Sequence, residues 1–169
     1  DIRIINVYVP NGSSINSDKF IYKKKWLESL KFYLQKVHKE HTPICLLGDF
    51  NIAPEDRDIH NPSKYDESIM ASSVERKLLK NALGNDLEDV FRIFEPGDKN
   101  WSWWDYRHSA WERDQGWRID HIYLTEDILS STNSCWIDKE PRSREKPSDH
   151  APVVVDINWP PSDFENEFF

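Results

Sequence analysis

Ile44-Cys45-Leu46-Leu47-Gly48-Asp49-Phe50-Asn51 is the stretch that decides the fold. Consecutive apolar residues behind Pro43 predict a short strand covered on both faces. Polar groups appear abruptly after Gly48. Asp49 and Asn51 are two apart, so on an extended segment they point to the same side. Upstream, residues 18–40 place Tyr22, Trp26, Leu30, Tyr33 and Val37 at three/four spacing, which predicts an amphipathic helix with a Lys-rich outer face. Before it, residues 2–9 are apolar and β-branched, and Pro10-Asn11-Gly12 turns the chain. Downstream, Pro54, Pro62 and many charges make residues 52–71 a long surface loop. Ser72-Ser73-Val74-Glu75 is a capping box that opens a second helix through Leu78, Leu79 and Ala82, ended by Gly84 or Asn85. Strands are predicted at 101–104, 118–124, 134–138 and 151–157. The fold class is therefore α/β (α+β), a mixed and mostly antiparallel sheet with helices on one face. Residues 1–158 form the domain and 159–169 a tail.

The 169 residues suffice for one domain, and eight Trp, eight Phe and six Tyr give it large apolar surfaces. No run of about 20 apolar residues is present, so no membrane span is expected. Cys45 sits in an apolar run and reads as a buried free thiol; with only Cys135 beside it, the usage suits a reducing cytoplasm. Asn11-Gly12-Ser13 matches a glycosylation triplet by chance. A net charge of −8 argues against holding nucleic acid by charge alone. A bound cation or a local basic surface can outweigh that sum, so the motifs must decide.

Three strand ends carry chemistry. At Gly48-Asp49-Phe50-Asn51, a carboxylate beside a carboxamide can orient a water and hold an oxyanion, or simply form a polar turn. At Arg118-Ile119-Asp120-His121, Asp120 interrupts an apolar strand and needs a partner. That partner is either an arginine, Arg118 or Arg107, in a structural salt bridge, or a histidine that Asp120 orients. At Ser148-Asp149-His150-Ala151, an adjacent Asp-His pair precedes a buried strand, a setting for metal or phosphate chemistry or for a capped turn. The other histidines, His38, His41, His60, His108 and His121, read as surface or loop residues. Together Asp49, Asn51, Asp120, Asp149 and His150 supply what in-line attack at phosphorus requires: a positioned water, an electrostatic clamp and carboxylate oxygens for a hard cation. A fourth feature is aromatic. Trp101-Ser102-Trp103-Trp104-Asp105-Tyr106-Arg107 and Gly116-Trp117-Arg118 suit stacking or wedging against bases, although burial is the usual fate of any single tryptophan.

Asn6-Val7-Tyr8-Val9-Pro10-Asn11-Gly12, Gly48-Asp49-Phe50-Asn51, Ser102-Trp103-Trp104-Asp105-Tyr106-Arg107, Gly116-Trp117-Arg118-Ile119-Asp120 and Ser148-Asp149-His150-Ala151-Pro152 resemble, in order, the motifs of exonuclease III and its abasic-endonuclease relatives. The last motif is shared by the wider endonuclease/exonuclease/phosphatase superfamily; the Trp-rich segment points to the DNA-repair branch. The resemblance implies a four-layer α-β-β-α sandwich, of which this chain supplies one half. It also implies a metal-dependent phosphodiesterase using Mg²⁺ or Mn²⁺ on double-stranded DNA with abasic sites or 3′ ends. Asp49 would position or deprotonate the attacking water, and Asn51 would hold that water and the phosphate. His150, oriented by Asp120, would bind the scissile phosphate, with Tyr8 and Asn11 also contacting it. Asp149, with Asp49, would hold or flank the metal. Trp103 and Trp117 would line the pocket for a sugar lacking its base, with Trp104 and Arg107 as further substrate contacts. The family's principal metal-binding Glu belongs to an N-terminal half that this sequence does not contain.

The chain opens in mid-strand without Met, which predicts a fragment. Its partners would be DNA and the N-terminal half of the same domain. Without that half, the uncovered sheet face predicts self-association and weak metal binding. Two other readings stand beside this one: a phosphoinositide or sphingolipid phosphodiesterase of the same fold, and a non-catalytic half-domain.

Overall fold

The computed structural model describes residues 1–160. In chain order the elements are β1 (Arg3–Tyr8), α1 (Asp18–His38), β2 (Ile44–Asp49), α2 (Ser73–Leu83), β3 (Glu88–Asp89), α3 (Val90–Phe94), β4 (Asp120–Leu124), α4 (Glu126–Leu129), β5 (Thr132–Ile137) and β6 (Val153–Ile157). Four strands form one sheet in the order β1-β2-β4-β3, and β5 pairs with β6 in a separate ribbon. β1 and β2 are parallel, and the other pairs are antiparallel. The parallel pair encloses α1, as a crossover connection requires.

Register sorts the side chains. Ile5, Leu46 and Tyr123 share one face, which packs against Leu27, Leu30 and Leu34 of α1 and Leu79 and Ala82 of α2. Cys45, Leu47, Ile122 and Leu124 point the other way and meet Cys135, Val153 and Val155 of the β5–β6 ribbon. The second face is thus partly covered, which differs from the expectation of a bare sheet. Cover is missing toward β1, where Ile4 is 69% exposed.

Helix α2 keeps its predicted box: Ser72 Oγ accepts from the Glu75 amide, and Gly84 closes the helix at φ 67°. α1 is rotated from expectation. Its inner face is Phe20, Lys23, Leu27, Leu30, Leu34 and Val37, while Tyr22 and Tyr33 lie in solvent. Tyrosines that count as apolar in a periodicity are content at the surface with their hydroxyls wet, and the leucines took the core. Lys23 breaks the pattern that would have revealed this. Residues 101–104 are not a strand. Ser102 and Trp103 both donate to the Trp117 carbonyl at 2.9 Å, and Trp104 donates to that of Asp149 at 3.0 Å. The segment is thereby threaded between two other motifs by single bridges. Of the expected tail, Trp159 is partly buried against the β5–β6 cluster; residues 161–169 lie outside the described residues.

The loop of residues 52–71 is fixed from beneath by charge. Asp58 is fully buried and accepts from Arg118 Nε at 2.7 Å and also from Arg92. Arg118, 1% exposed, reaches on to Asp89 at 2.7 and 3.1 Å, with its guanidinium over the Phe91 ring. Burial favours the protonated form of Asp58, but Arg118 and Arg92 outweigh it and hold the carboxyl below the usual range. Removing one member of such a set strands a buried charge. Arg118→Ala is expected to cost about 3–5 kcal/mol in urea denaturation, and Arg118→Lys to recover less than half, since an ammonium cannot bridge two carboxylates with a planar fork. A loss under about 1 kcal/mol for Arg118→Ala would show that the network contributes little.

Candidate active site

The site begins with the end of the sheet. Tyr8, Asp49 and Asp120 occupy adjacent register positions on β1, β2 and β4, so they form a row on one face. Two carboxylates directly opposite on antiparallel strands repel. Burial, then the charge of Asp120, pushes the Asp49 pKa up to about 6, against the hydrogen bond from Asn51 and the charge of His150.

Backbone geometry puts Asp49 there. Gly48 has φ 138°, and a Cβ on it would lie 1.9 Å from the Val7 carbonyl oxygen, so no side chain fits. The chain then turns through Asn51 at φ 48°, a left-handed conformation that Asn tolerates better than most residues. The Asn51 amide N–H donates to Asp49 Oδ1 at 2.8 Å. Its side-chain Nδ2 donates to Asp49 Oδ2 at 3.1 Å and to the Val9 carbonyl at 2.9 Å. Asn51 Oδ1 accepts from Asn11 Nδ2 at 3.1 Å. Asn51 thus spends its backbone and side-chain donors on Asp49 and on Val9, just past β1, and it aims Asn11, which is exposed.

Asp120 is held from two sides. Ser102 Oγ accepts the amides of Ile119 and Asp120, both at 3.0 Å, and donates to Asp120 Oδ2 at 2.7 Å. The same oxygen meets His150 Nδ1 at 2.8 Å, which leaves Nε2 free to face a ligand. Burial disfavours the imidazolium, but the bond to Asp120 and the charges of Asp120, Asp49 and Asp149 outweigh it and raise the His150 pKa. Of the partners considered for Asp120, the histidine is the one engaged. Arg118 serves Asp58 and Asp89, and Arg107 pairs with Asp105.

Asp49, Asp120 and His150 each offer a ligand atom within 4.8 Å of the others. The opposed carboxylates, one with a raised pKa, are a donor set that a hard cation would relieve. Asp149 stands apart from the three, because its Oδ2 accepts from the Trp103 indole at 2.9 Å. The trio opens on one side, through Asp49 and His150, into a cleft of about 910 Å³ whose walls include Tyr8, Asn11, Trp103 and Trp117. On the other side it borders an apolar trough of about 420 Å³ floored by Leu47, Ile122 and Val153.

Trp117 lines the cleft with its ring edge-on to Tyr65, centroids 5.0 Å apart. Arg107 lies on the rim with an exposed guanidinium. Trp104 must be reassigned: it is fully buried, hydrogen-bonded to Asp114 at 3.3 Å and packed on Trp111, so it is core and touches no ligand. His121, expected at the surface, is also core. It stacks on Phe50 and shares a 2.9 Å hydrogen bond with the Tyr123 hydroxyl. Burial, then the nearby Arg118, lowers its pKa to about 4. Its position inside an apolar strand was the available signal. Sequence reasoning missed Ser102, Tyr65 and Met70. Ser102 could have been found as a small hydroxyl set between two tryptophans, Trp101 and Trp103; nothing in sequence marks the other two.

A sequence profile of the Endonuclease/Exonuclease/phosphatase family matches residues 2–150. Exodeoxyribonuclease III of Haemophilus influenzae is 35% identical over 92% of this chain and 61% of its own length. The exodeoxyribonuclease of Bacillus subtilis is 30% identical over 94% of this chain and 61% of its own. Among solved structures, the 3′ phosphatase NExo from Neisseria bound to a product DNA hairpin superposes with a TM-score of 0.91 at 40% identity, covering 94% of this chain and 62% of that one. An AP endonuclease from Archaeoglobus fulgidus gives 0.88 at 38% identity, covering 93% and 62%. The chain spans about three fifths of the length of these relatives. With its fold and its motifs in the same order, the chain belongs to the endonuclease/exonuclease/phosphatase family.

Proposed function

We propose that this chain forms the larger part of a DNA-repair nuclease that hydrolyses phosphodiester bonds at abasic sites and 3′ ends of double-stranded DNA. The observation that carries the reading is the trio Asp49, Asp120 and His150, of which Asp49 and His150 line a cleft walled by Trp103 and Trp117. Its similarity to exodeoxyribonucleases and to a DNA-bound 3′ phosphatase supports the same substrate class. An aromatic wall suits a stacked nucleic acid better than a lipid headgroup; the cleft's Lys64, Arg107 and Arg113 stand beside Asp49, Asp105 and Asp149, so a bound cation would tip its charge toward an anionic ligand.

In this reading Asp49 positions the attacking water and accepts its proton. His150, kept protonated by Asp120, presents Nε2–H to a non-bridging phosphate oxygen and stabilises charge as it develops. Asn11 and Tyr8 contact the phosphate from the opposite lip. Trp103 and Trp117 admit a sugar without its base by size. Asp49 and Asp120 would hold Mg²⁺ or Mn²⁺, with Asp149 flanking, and the cation would supply electrostatic stabilisation of the phosphate. A segment N-terminal to this chain, as the family resemblance implies, would complete the site from the trough side. The two buried free thiols fit a cytoplasmic setting.

Incision of an abasic duplex, with and without Mg²⁺, tests the reading when this chain is compared with one extended at its N-terminus. The extended protein should incise only with the metal, and phosphoinositides should be inert. Asp120→Asn in that protein should fold normally and lose about 100- to 10,000-fold in turnover, the usual worth of an acid-base group. Near-wild-type turnover would remove Asp120 from the mechanism.

Asp49 also makes a stability prediction. Its folded-state pKa of about 6 lies above the ordinary 3.8, so ionised Asp49 weakens the fold above pH 6 and ceases to do so as pH falls toward 4. In metal-free buffer, Asp49→Asn should be the more stable protein near neutral pH, by about 1–2 kcal/mol after allowance for solvent screening, and lose that advantage near pH 4. Parallel pH profiles of the two proteins would show that Asp49 titrates normally.

A further inference from the structure

We propose that Lys23 is a positioning residue that sets the two asparagines of the site, Asn11 and Asn51, from behind. The proposal rests on the functional reading above for the meaning of those asparagines, and on geometry for the rest. Lys23 occupies an inner position of α1 between Phe20 and Leu27 and is fully buried. A methionine would fill that place without the several kcal/mol that burying an ammonium costs. The fold does not ask for the charge.

The donors show where it acts. Lys23 Nζ donates to the Asn11 carbonyl at 3.0 Å, the Asn51 carbonyl at 2.7 Å and Glu75 Oε1 at 2.5 Å. Two of its three acceptors are thus the backbones of the residues whose side chains meet each other at 3.1 Å. Lys23 thus fixes the backbone from which each side chain projects, while the Asn51 amide is held in a buried bond to the Val9 carbonyl and the Asn11 amide in part-buried bonds to Asn51 and Met70. Glu75 balances the charge and extends the clamp. Its Oε1 accepts the Met70 amide at 3.1 Å, and Met70 Sδ accepts from Asn11 Nδ2 at 3.3 Å, which closes a ring from Lys23 back to Asn11. Gly12 gives the stem room: at φ 90°, a Cβ there would crowd Lys23 Cδ at 3.1 Å and Ile69 Cδ1 at 3.0 Å. The simpler role is a tether between α1 and α2, and the two make different demands on turnover.

In the full-length protein, Lys23→Met/Glu75→Gln removes both charges, so no lone charge is left buried. At a denaturation midpoint near that of the wild type, kcat on an abasic duplex should fall about 100-fold, with KM within about 3-fold, as misplaced reacting groups require. Wild-type kcat in the double variant would reduce the pair to a tether and overturn the proposal. Lys23→Gln, which keeps one donor, should lose about 10-fold in kcat with KM unchanged, and wild-type turnover there overturns the proposal whether or not the double variant folds. If the wild-type protein incises no DNA substrate, the functional reading fails by itself. The side-chain amide NMR signals of Asn11 and Asn51 then decide the positioning: displaced in Lys23→Gln they uphold it, and unmoved they overturn it.

Discussion

Arg118 sits between a residue that lines the cleft, Trp117, and the strand that carries Asp120, and its guanidinium is shared between Asp58 and Asp89. The wall of the cleft built from residues 52–71 leans on that sharing. Asp58 belongs to the loop whose later residues, Tyr65 and Met70, wall the cleft; Asp89 caps α3 and pairs in β3. The Arg118 amide donates to the Asp58 carbonyl at 2.9 Å, so backbone and side chain fasten the same loop. A loop of this length with little regular structure would otherwise be free to wander, and a cleft with a wandering wall selects nothing.

The chemical side rests on opposition rather than attraction. Strand register sets Asp49 against Asp120, and the protein relieves the repulsion with neighbours it places deliberately. Asn51 donates twice to Asp49, Ser102 donates to Asp120, and His150 adds positive charge. Each compensating group comes from a different segment, so the site assembles only when the whole sheet end is in place. His121 sits behind this row, neutral and bonded to Tyr123, which keeps another charge away from it.

The fold class was legible because the apolar runs and turn signals around Gly48 and Ser72 are strong. The site was legible where polar residues stand at the ends of apolar strands, as at Asp49, Asp120 and His150. The rest was hidden for physical reasons. Lys23, Asp58, Glu75 and Arg118 are charged residues that average statistics send to the surface. They are buried because partners distant in sequence satisfy them, and one chain read in order does not display such pairing. Trp104 failed in the opposite sense. Among adjacent tryptophans, only the threading of residues 101–104 between Trp117 and Asp149 decides which ring faces the cleft and which the core.

Gly48 carries a consequence for descent. Its Cα lies so close to the Val7 carbonyl that no other residue can stand there while β1 and β2 remain parallel neighbours. Any replacement would push β1 outward and take Tyr8 and the Asn11 turn with it. Gly48 cannot be rewritten without also dissolving the row that Asp49 occupies. A glycine in front of this aspartate is thus required for steric reasons, as a condition of strand packing and not of substrate.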